Sequence, residues 1–345
     1  MSDDLYIDAD FPLIDLHRHL DGSVRLETVI ELADQQGIEL PALDVESLRP
    51  YVVVDGRVNS LMDFIGRFRY LTAVLHDLDA CRRVAYENVE DAGREGIDYI
   101  ELRFSPWFMS ETHDLDPAGV VEAVADGIRA AERDTGVRAQ MIGIMSRTYD
   151  TDTCHRELDA LLTHRDHLVA IDLAGDEVKF PAGLFRDHFR RARDAGLEVT
   201  VHAGEADGPE SVWAAIRELG ATRIGHGIHS LGDPALVDYL AEHRIGLEVC
   251  ITSNIHTGTV DAYGNHPVKR IFELGLLANL NTDDPAISGI DLRHEYATAA
   301  RLAGMTRQMT RQSQVNALEM AFLSEHEKRA LLERRASPRA EGPTT

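Results

Sequence analysis

LEVTVHAGEADGPESVWAAIRELGATRIGHG, residues 197–227, carries the fold in miniature. An apolar run of strand length, LEVTVHAG at 197–204, leads into a stretch with helical spacing, PESVWAAIRELG. That stretch opens on Pro209 and closes on Gly220, the residues favoured at the first turn and just past the end of a helix. A second short apolar run, TRIGHG at 222–227, follows at once. Strand, helix and strand in close succession imply parallel strands joined by a helical crossover.

The same rhythm extends in both directions. Apolar runs stand at 11–17 (FPLIDLH), 97–104 (IDYIELRF), 137–145 (VRAQMIGIM) and 168–175 (LVAIDLAG) before this unit, and at 245–253 (IGLEVCITS) and 276–283 (LLANLNTD) after it. Helical stretches lie between them, among them AGVVEAVADGIRAAERDTG, closed by Gly136, and FPAGLFRDHFRRARDAG, closed by Gly196. Eight such units predict an α/β chain folded as a (β/α)8 TIM barrel. Residues 25–95 interrupt the alternation and predict a helical insertion after the first strand, placed over the barrel mouth as a lid. Extra helices follow strand eight, and Ser324 with Glu327 has the spacing of a capping box. The expected division is one domain over 1–335 and a disordered tail, ASPRAEGPTT, over 336–345.

Composition narrows the function classes. The chain has 35 basic and 59 acidic residues, a net charge of −24, spread along its length. Such a field repels nucleic acid and anionic membranes, so neither is expected as a partner. It also fits a salt-adapted cytoplasm. Three widely spaced cysteines offer neither a disulfide framework nor a Cys-x-x-Cys metal pair. With no signal-like start and no apolar run of membrane-spanning length, the expected location is cytoplasmic.

Chemistry gathers at the strand ends. His17 and His19 are two apart at the end of strand one, so both rings share one face. His202 ends strand five and Asp283 ends strand eight. A lone histidine at a core edge is more often structural. Four imidazole and carboxylate groups at the C-terminal ends of barrel strands instead predict one divalent ion, zinc, with an open position for water. Glu205, three residues after His202 in HAGE, turns into the same pocket unless it only serves a helix N-terminus. A carboxyl buried there keeps its proton and can act as an acid. His226, between Gly225 and Gly227, is preferred over His229 because it sits at the strand end. Asp284 adjoins Asp283. Because consecutive strand residues point to opposite faces, Asp284 is expected to serve substrate or water rather than the ion. Gly175 in AGDE either brings a bare backbone N–H to a ligand or simply turns the chain. Leu61, Phe64, Ile65 and Phe68 form one apolar helical face, a core stripe or the underside of the lid.

LHRHLDGS, LAGDE, HAGE, RIGHG, CITSN and NTDDP, in this order, resemble the adenosine/AMP deaminase family of metal-dependent amidohydrolases, over residues 11 to about 310. The resemblance implies a barrel with one Zn2+ per subunit that hydrolyses the 6-amino group of a purine, here adenosine to inosine and ammonia, with zinc activating the water. Residue by residue it implies zinc ligation by His17, His19, His202 and Asp283. It implies protonation of N1 by Glu205, assistance to the attacking water by His226, and contact of Asp284 with N7 and that water. It also implies a backbone donor to N3 at Gly175, sugar contacts near Asp21 and Ser105, and a hydrophobic flap at Phe64. HLDG at 19–22 and ITSN at 251–254 lean toward a nucleoside, where free-adenine deaminases carry HIEG and PLSN. A 5′-deoxyadenosine-type nucleoside or free adenine is the alternative substrate, and a non-catalytic binding protein is the alternative of another class. Trp107 departs from the histidine common at that place in relatives.

Overall fold

A computed structural model describes residues 6–58 and 61–336, without the side chains of Leu61 and Ala336. The eight predicted strands are all present: β1 Ile14–His19, β2 Tyr99–Phe104, β3 Arg138–Ser146, β4 Leu168–Ala174, β5 Glu198–Ala203, β6 Arg223–His226, β7 Gly246–Val249 and β8 Ala278–Leu280. They pair in parallel in chain order from β1 to β8. Helices separate them, giving the expected (β/α)8 barrel. Nearly every strand residue is buried, as expected for parallel strands covered on both faces.

The barrel closes where β8 meets β1. Arg18 and Asp283 bridge the two. The amide of Asp283 donates to the His17 carbonyl, and that of His19 to the Asp283 carbonyl, each at 2.8 Å. β8 is shorter than its apolar run, and the helix Arg307–Met320 takes part of its hydrogen bonding. Leu280 N–H donates to Ser313 Oγ and Asn316 donates to the Ala278 carbonyl. The run at 245–253 is likewise divided: its second half forms a helix, Ile251–His256.

Helix ends follow the local signals. Pro117–Thr135 stops at Gly136 in the left-handed conformation, φ 71°. Pro209–Ala214 continues as a π turn, Ala215–Leu219, capped by Gly220. Ser324 and Glu327 exchange capping bonds. The insertion contains helices Leu26–Gln36, Val45–Val52 and Leu61–Ile65, while its last part, Leu78–Glu95, packs as the barrel's own first crossover helix. Residues 337–345 of the expected tail lie outside the described residues, and Ala336 ends the last helix, Glu325–Ala336. Among the described residues no helix is long and apolar enough to cross a membrane.

Candidate active site

The strand ends converge on one cavity of about 290 Å3 at the C-terminal mouth of the barrel. His19, Asp21, Phe64, Ser105, Gly175, His202, Glu205, His226, Asp283 and Asp284 all line it. His17 lies at its base, fully buried. Phe64, Ile65 and Phe68 of the insertion form an apolar wall over it.

At the floor, Asp283 Oδ1 stands 3.2 Å from both His17 Nε2 and His19 Nε2. His19 Nε2 is 3.2 Å from His202 Nε2. His17 Nδ1 donates to Glu248 Oε2 at 2.8 Å, and His202 Nδ1 donates to Asp172 at 2.9 Å. Each bond fixes the proton on Nδ1 and turns an Nε2 lone pair inward, the arrangement carboxylates impose on metal-binding histidines. His17 Nε2 is buried and has no hydrogen-bond partner. An acceptor left bare in the core is costly unless something electrophilic meets it, so the donor set fits a divalent ion. His17, His202, His226 and Asp283 bring one donor atom each within 4.8 Å of one another, a second four-residue set overlapping the first.

Burial would lower the pKa of His202 and does so, to about 4. Burial opposes ionisation of Asp283, but the His17 and His226 imidazoles outweigh it and hold the carboxyl well below the ordinary range. Its neighbour goes the other way. Burial, then the charges of Asp283 and Asp21, raise Asp284 well above it. Burial, followed by Asp283, Glu177 and Asp284, raises Glu205 in the same manner. The floor therefore pairs a carboxylate whose pKa is held low, Asp283, with two whose pKa values are pushed up, Asp284 and Glu205, a spread that suits acid–base chemistry.

Strand geometry does not separate Asp283 from Asp284 as the alternation rule predicts. β8 ends at Leu280, and Asp283 takes a left-handed φ of 64°. The chain turns there, and both carboxylates face the cavity. His226 has the same strained conformation, φ 62°, at the end of β6. Left-handed backbone at side chains other than glycine is rare and gathers at functional sites. Gly22 makes room for Asp284: a Cβ there would stand 1.7 Å from Asp284 Oδ1.

Ser105 lines the cavity, yet its hydroxyl is already engaged. It donates to Glu157 at 2.5 Å and accepts from the Phe108 amide as a helix cap. Asp21 Oδ1, buried and without a hydrogen bond, is the free acceptor on that side. Gly175 has φ 105°, and a Cβ there would press on Thr148. Trp107 stands outside the cavity wall, beneath the Arg156 guanidinium at 5.3 Å.

Several supporting residues were missed in the sequence. Glu177 accepts from the amides of Gly204, Ala206 and Asp207 and from Ser211 Oγ, clamping the turn that carries Glu205 inward. Glu248 and Asp172 hold the two histidines, and buried Arg103 joins them at 2.7 and 2.9 Å. Their signal was a charged residue inside an apolar strand run, as in GLEV and AIDLA, where burial demands a partner.

A strand-end cluster of imidazoles and carboxylates, with two neighbouring carboxyls of raised pKa, fits a barrel hydrolase, and the relatives narrow that class. The profile of the adenosine deaminase family matches residues 12–337. The adenosine deaminase of Vibrio cholerae serotype O1 is 57% identical over 330 residues, 96% of this chain and 99% of its own. An adenine deaminase from Arthrobacter aurescens superposes with a TM-score of 0.87 at 28% identity, covering 94% of this chain and 98% of that one. An amidohydrolase from Burkhoderia ambifaria with bound Zn gives 0.85 at 26% identity, covering 97% and 91%. The chain belongs to the adenosine deaminase family.

Proposed function

We propose that the chain hydrolyses adenosine to inosine and ammonia, with zinc held by His17, His19, His202 and Asp283. The observation that carries this reading is Glu205, a buried carboxyl with raised pKa facing the imidazole–carboxylate cluster in the cavity at the barrel mouth. The names of the close relatives and the zinc in a structural neighbour support it. Bound among these donors, zinc supplies a water acidified at neutral pH.

The chain's own groups do the rest. Glu205 delivers its proton to N1 of the purine, which drains the ring toward N1 and leaves C6 open to water. Asp284 receives the proton that the water gives up, and His226 faces the same oxygen. As C6 becomes tetrahedral, the amino group takes from Asp284 the proton that came from the water, the C6–N bond breaks with its electron pair leaving on ammonia, and the new C6 hydroxyl gives its proton back to Glu205 as the 6-oxo purine forms. The Phe64–Phe68 wall keeps bulk water from this exchange. Asp21 Oδ1 is placed to accept a ribose hydroxyl, which favours a nucleoside over the free base. Among the described residues lining the cavity there is no Lys or Arg to take a 5′-phosphate, and an ionised Asp21 on the sugar side would repel it. Three free, buried cysteines fit a cytoplasmic location, which cell fractionation tests.

The test is ammonia release from protein of measured metal content, with adenosine, 5′-deoxyadenosine, adenine and AMP in parallel. Adenosine is expected to give the highest kcat/KM. Preference for adenine overturns the substrate assignment, and silence of the zinc-loaded protein toward all four overturns the reaction.

A further inference from the structure

The face of His226 turned away from the cavity meets Asn254, and behind it His266. Neither has a part in the chemistry above. Asn254 is fully buried in the helix Ile251–His256, and His266 is 4% exposed just before the helix Val268–Glu273. Their contacts form a line. The amide of Val268 donates to His266 Nδ1 at 3.1 Å. His266 Nε2 meets Asn254 Oδ1 at 3.1 Å. Asn254 Nδ2 meets His226 Nδ1 at 3.1 Å. Beyond that ring, His226 Nε2 faces Glu205 Oε2 and Asp283 Oδ2, each at 3.7 Å.

The line has only one sense. A backbone N–H can donate and never accept, and this one is an unpaired donor of a helix first turn. His266 Nδ1 must therefore be the acceptor. Burial holds the His266 pKa down to about 3, so the ring is neutral and carries its single proton on Nε2. That N–H donates to Asn254 Oδ1, which leaves the amide NH2 facing His226. Nδ1 of His226 accepts, so the neutral ring carries its proton on Nε2.

We infer that His266 and Asn254 are positioning residues that lock His226 in the tautomer presenting an Nε2–H to the reacting centre. His226 is then a hydrogen-bond donor to the attacking oxygen, and accepting that oxygen's proton falls to a carboxylate. The inference also distinguishes the two overlapping metal sets. His17 and His202 have carboxylate acceptors on Nδ1 and turn lone pairs inward. His226 has an amide donor on Nδ1 and turns a proton inward. Its proximity to the other donors does not make it a ligand. The inference rests on the role proposed above for His226.

The test uses the full chain labelled with 15N-histidine. Long-range 1H–15N correlation reads the tautomer of each ring directly, and kinetics and metal content are measured on the same samples. The wild type is expected to show both His226 and His266 as Nε2–H. Asn254→Asp replaces the donor by an acceptor and should move the His226 proton to Nδ1. It should lower kcat by about 10²–10⁴-fold, as wrong-tautomer histidines do, with KM within a few-fold and metal content unchanged. His266→Phe releases the amide and should give a mixed tautomer with an intermediate loss. His266→Gln keeps an N–H near the place of Nε2 and should restore most of the rate.

An Nδ1–H tautomer of His226 in the wild type overturns the inference, as does Asn254→Asp with unchanged tautomer or with kcat within about 3-fold of wild type. If a variant does not fold, the wild-type spectrum alone decides. His226→Ala separates the two layers: full activity there removes the proposed role of His226, whereas an Nδ1–H wild type together with an inactive His226→Ala removes only the relay.

Discussion

Gly22→Ala isolates the contribution of Asp284. Gly22 does not have a left-handed φ, so alanine fits its backbone without strain. The added methyl, however, would stand 1.7 Å from Asp284 Oδ1 and 2.7 Å from its Cγ. The carboxyl must retreat by more than ~1 Å to reach ordinary van der Waals separation. A displacement of that size at the reacting centre costs about 10²-fold in rate, or about 2.7 kcal/mol in the barrier. The proposed metal ligands are not the atoms in collision, so metal content should stay at the wild-type value. The assay is the fall in ultraviolet absorbance as adenosine becomes inosine, taken over a full KM titration beside a metal analysis. The expected result is a kcat lowered ~10²-fold or more at unchanged metal occupancy. A kcat within about 3-fold of wild type would show that the place of Asp284 does not matter and refute the role given to it.

Glu205→Gln keeps the shape of the proton donor without its acidity. It should retain metal and bind inosine, measured by calorimetry, while kcat drops by about 10²–10⁴-fold. Glu177→Ala strips the HAGE turn of its clamp and leaves buried amides unpaired, at about 1–3 kcal/mol for each group left bare; thermal unfolding should show a clear fall in Tm together with a lower kcat. Glu295 tests linkage away from the reacting centre. Burial raises its carboxyl from 4.5 to about 8, so between those values the folded chain keeps a proton that the unfolded chain has lost. Stability should therefore fall as pH climbs through that window and level off above it. Urea midpoints of Glu295→Gln should lack that part of the slope, and an identical slope in both proteins would contradict the assignment. The net charge of −24 predicts that thermal stability rises with salt as self-repulsion is screened, which a scan from low to molar salt checks.

The barrel was legible because its signals are local. Alternating apolar runs, Pro209 and Gly220 at the ends of one crossover, and Gly136 after another are each read within a few residues. The proposed ligands were legible for a related reason: a strand end in a parallel barrel has a known address, and His17, His19, His202 and Asp283 all share it. What escaped was whatever depends on residues meeting across the barrel. Glu248 and His17 are 231 residues apart in sequence, and nothing in GLEV names its partner. The alternation rule kept Asp284 off the ion by presuming a strand, whereas the chain already turns there at φ 64° and both carboxylates line the cavity. Asn254 lay in a recognised stretch, CITSN, but its partner His266 lay in none.

The seam of the barrel and the floor of the site are the same atoms' neighbourhood. The hydrogen bonds that close β8 on β1 run through the backbones of His17, His19 and Asp283, whose side chains are three of the four proposed ligands. β8 is only Ala278–Leu280 and takes part of its hydrogen bonding from the helix Arg307–Met320, so this is the least self-supported joint of the sheet. An ion held by those three side chains and by His202 of β5 would tie the seam to the opposite side of the barrel. Because the unfolded chain has no such constellation, binding free energy there becomes folding free energy. Removal of metal by a chelator should therefore lower Tm as well as abolish activity, and the first amides to gain hydrogen exchange should be those of Asp283 and His19, which close the seam, ahead of β2 to β4. Unchanged Tm and unchanged protection after metal removal would mean that the ion serves chemistry alone, and a loss spread evenly around the barrel would mean that it does not act through the seam.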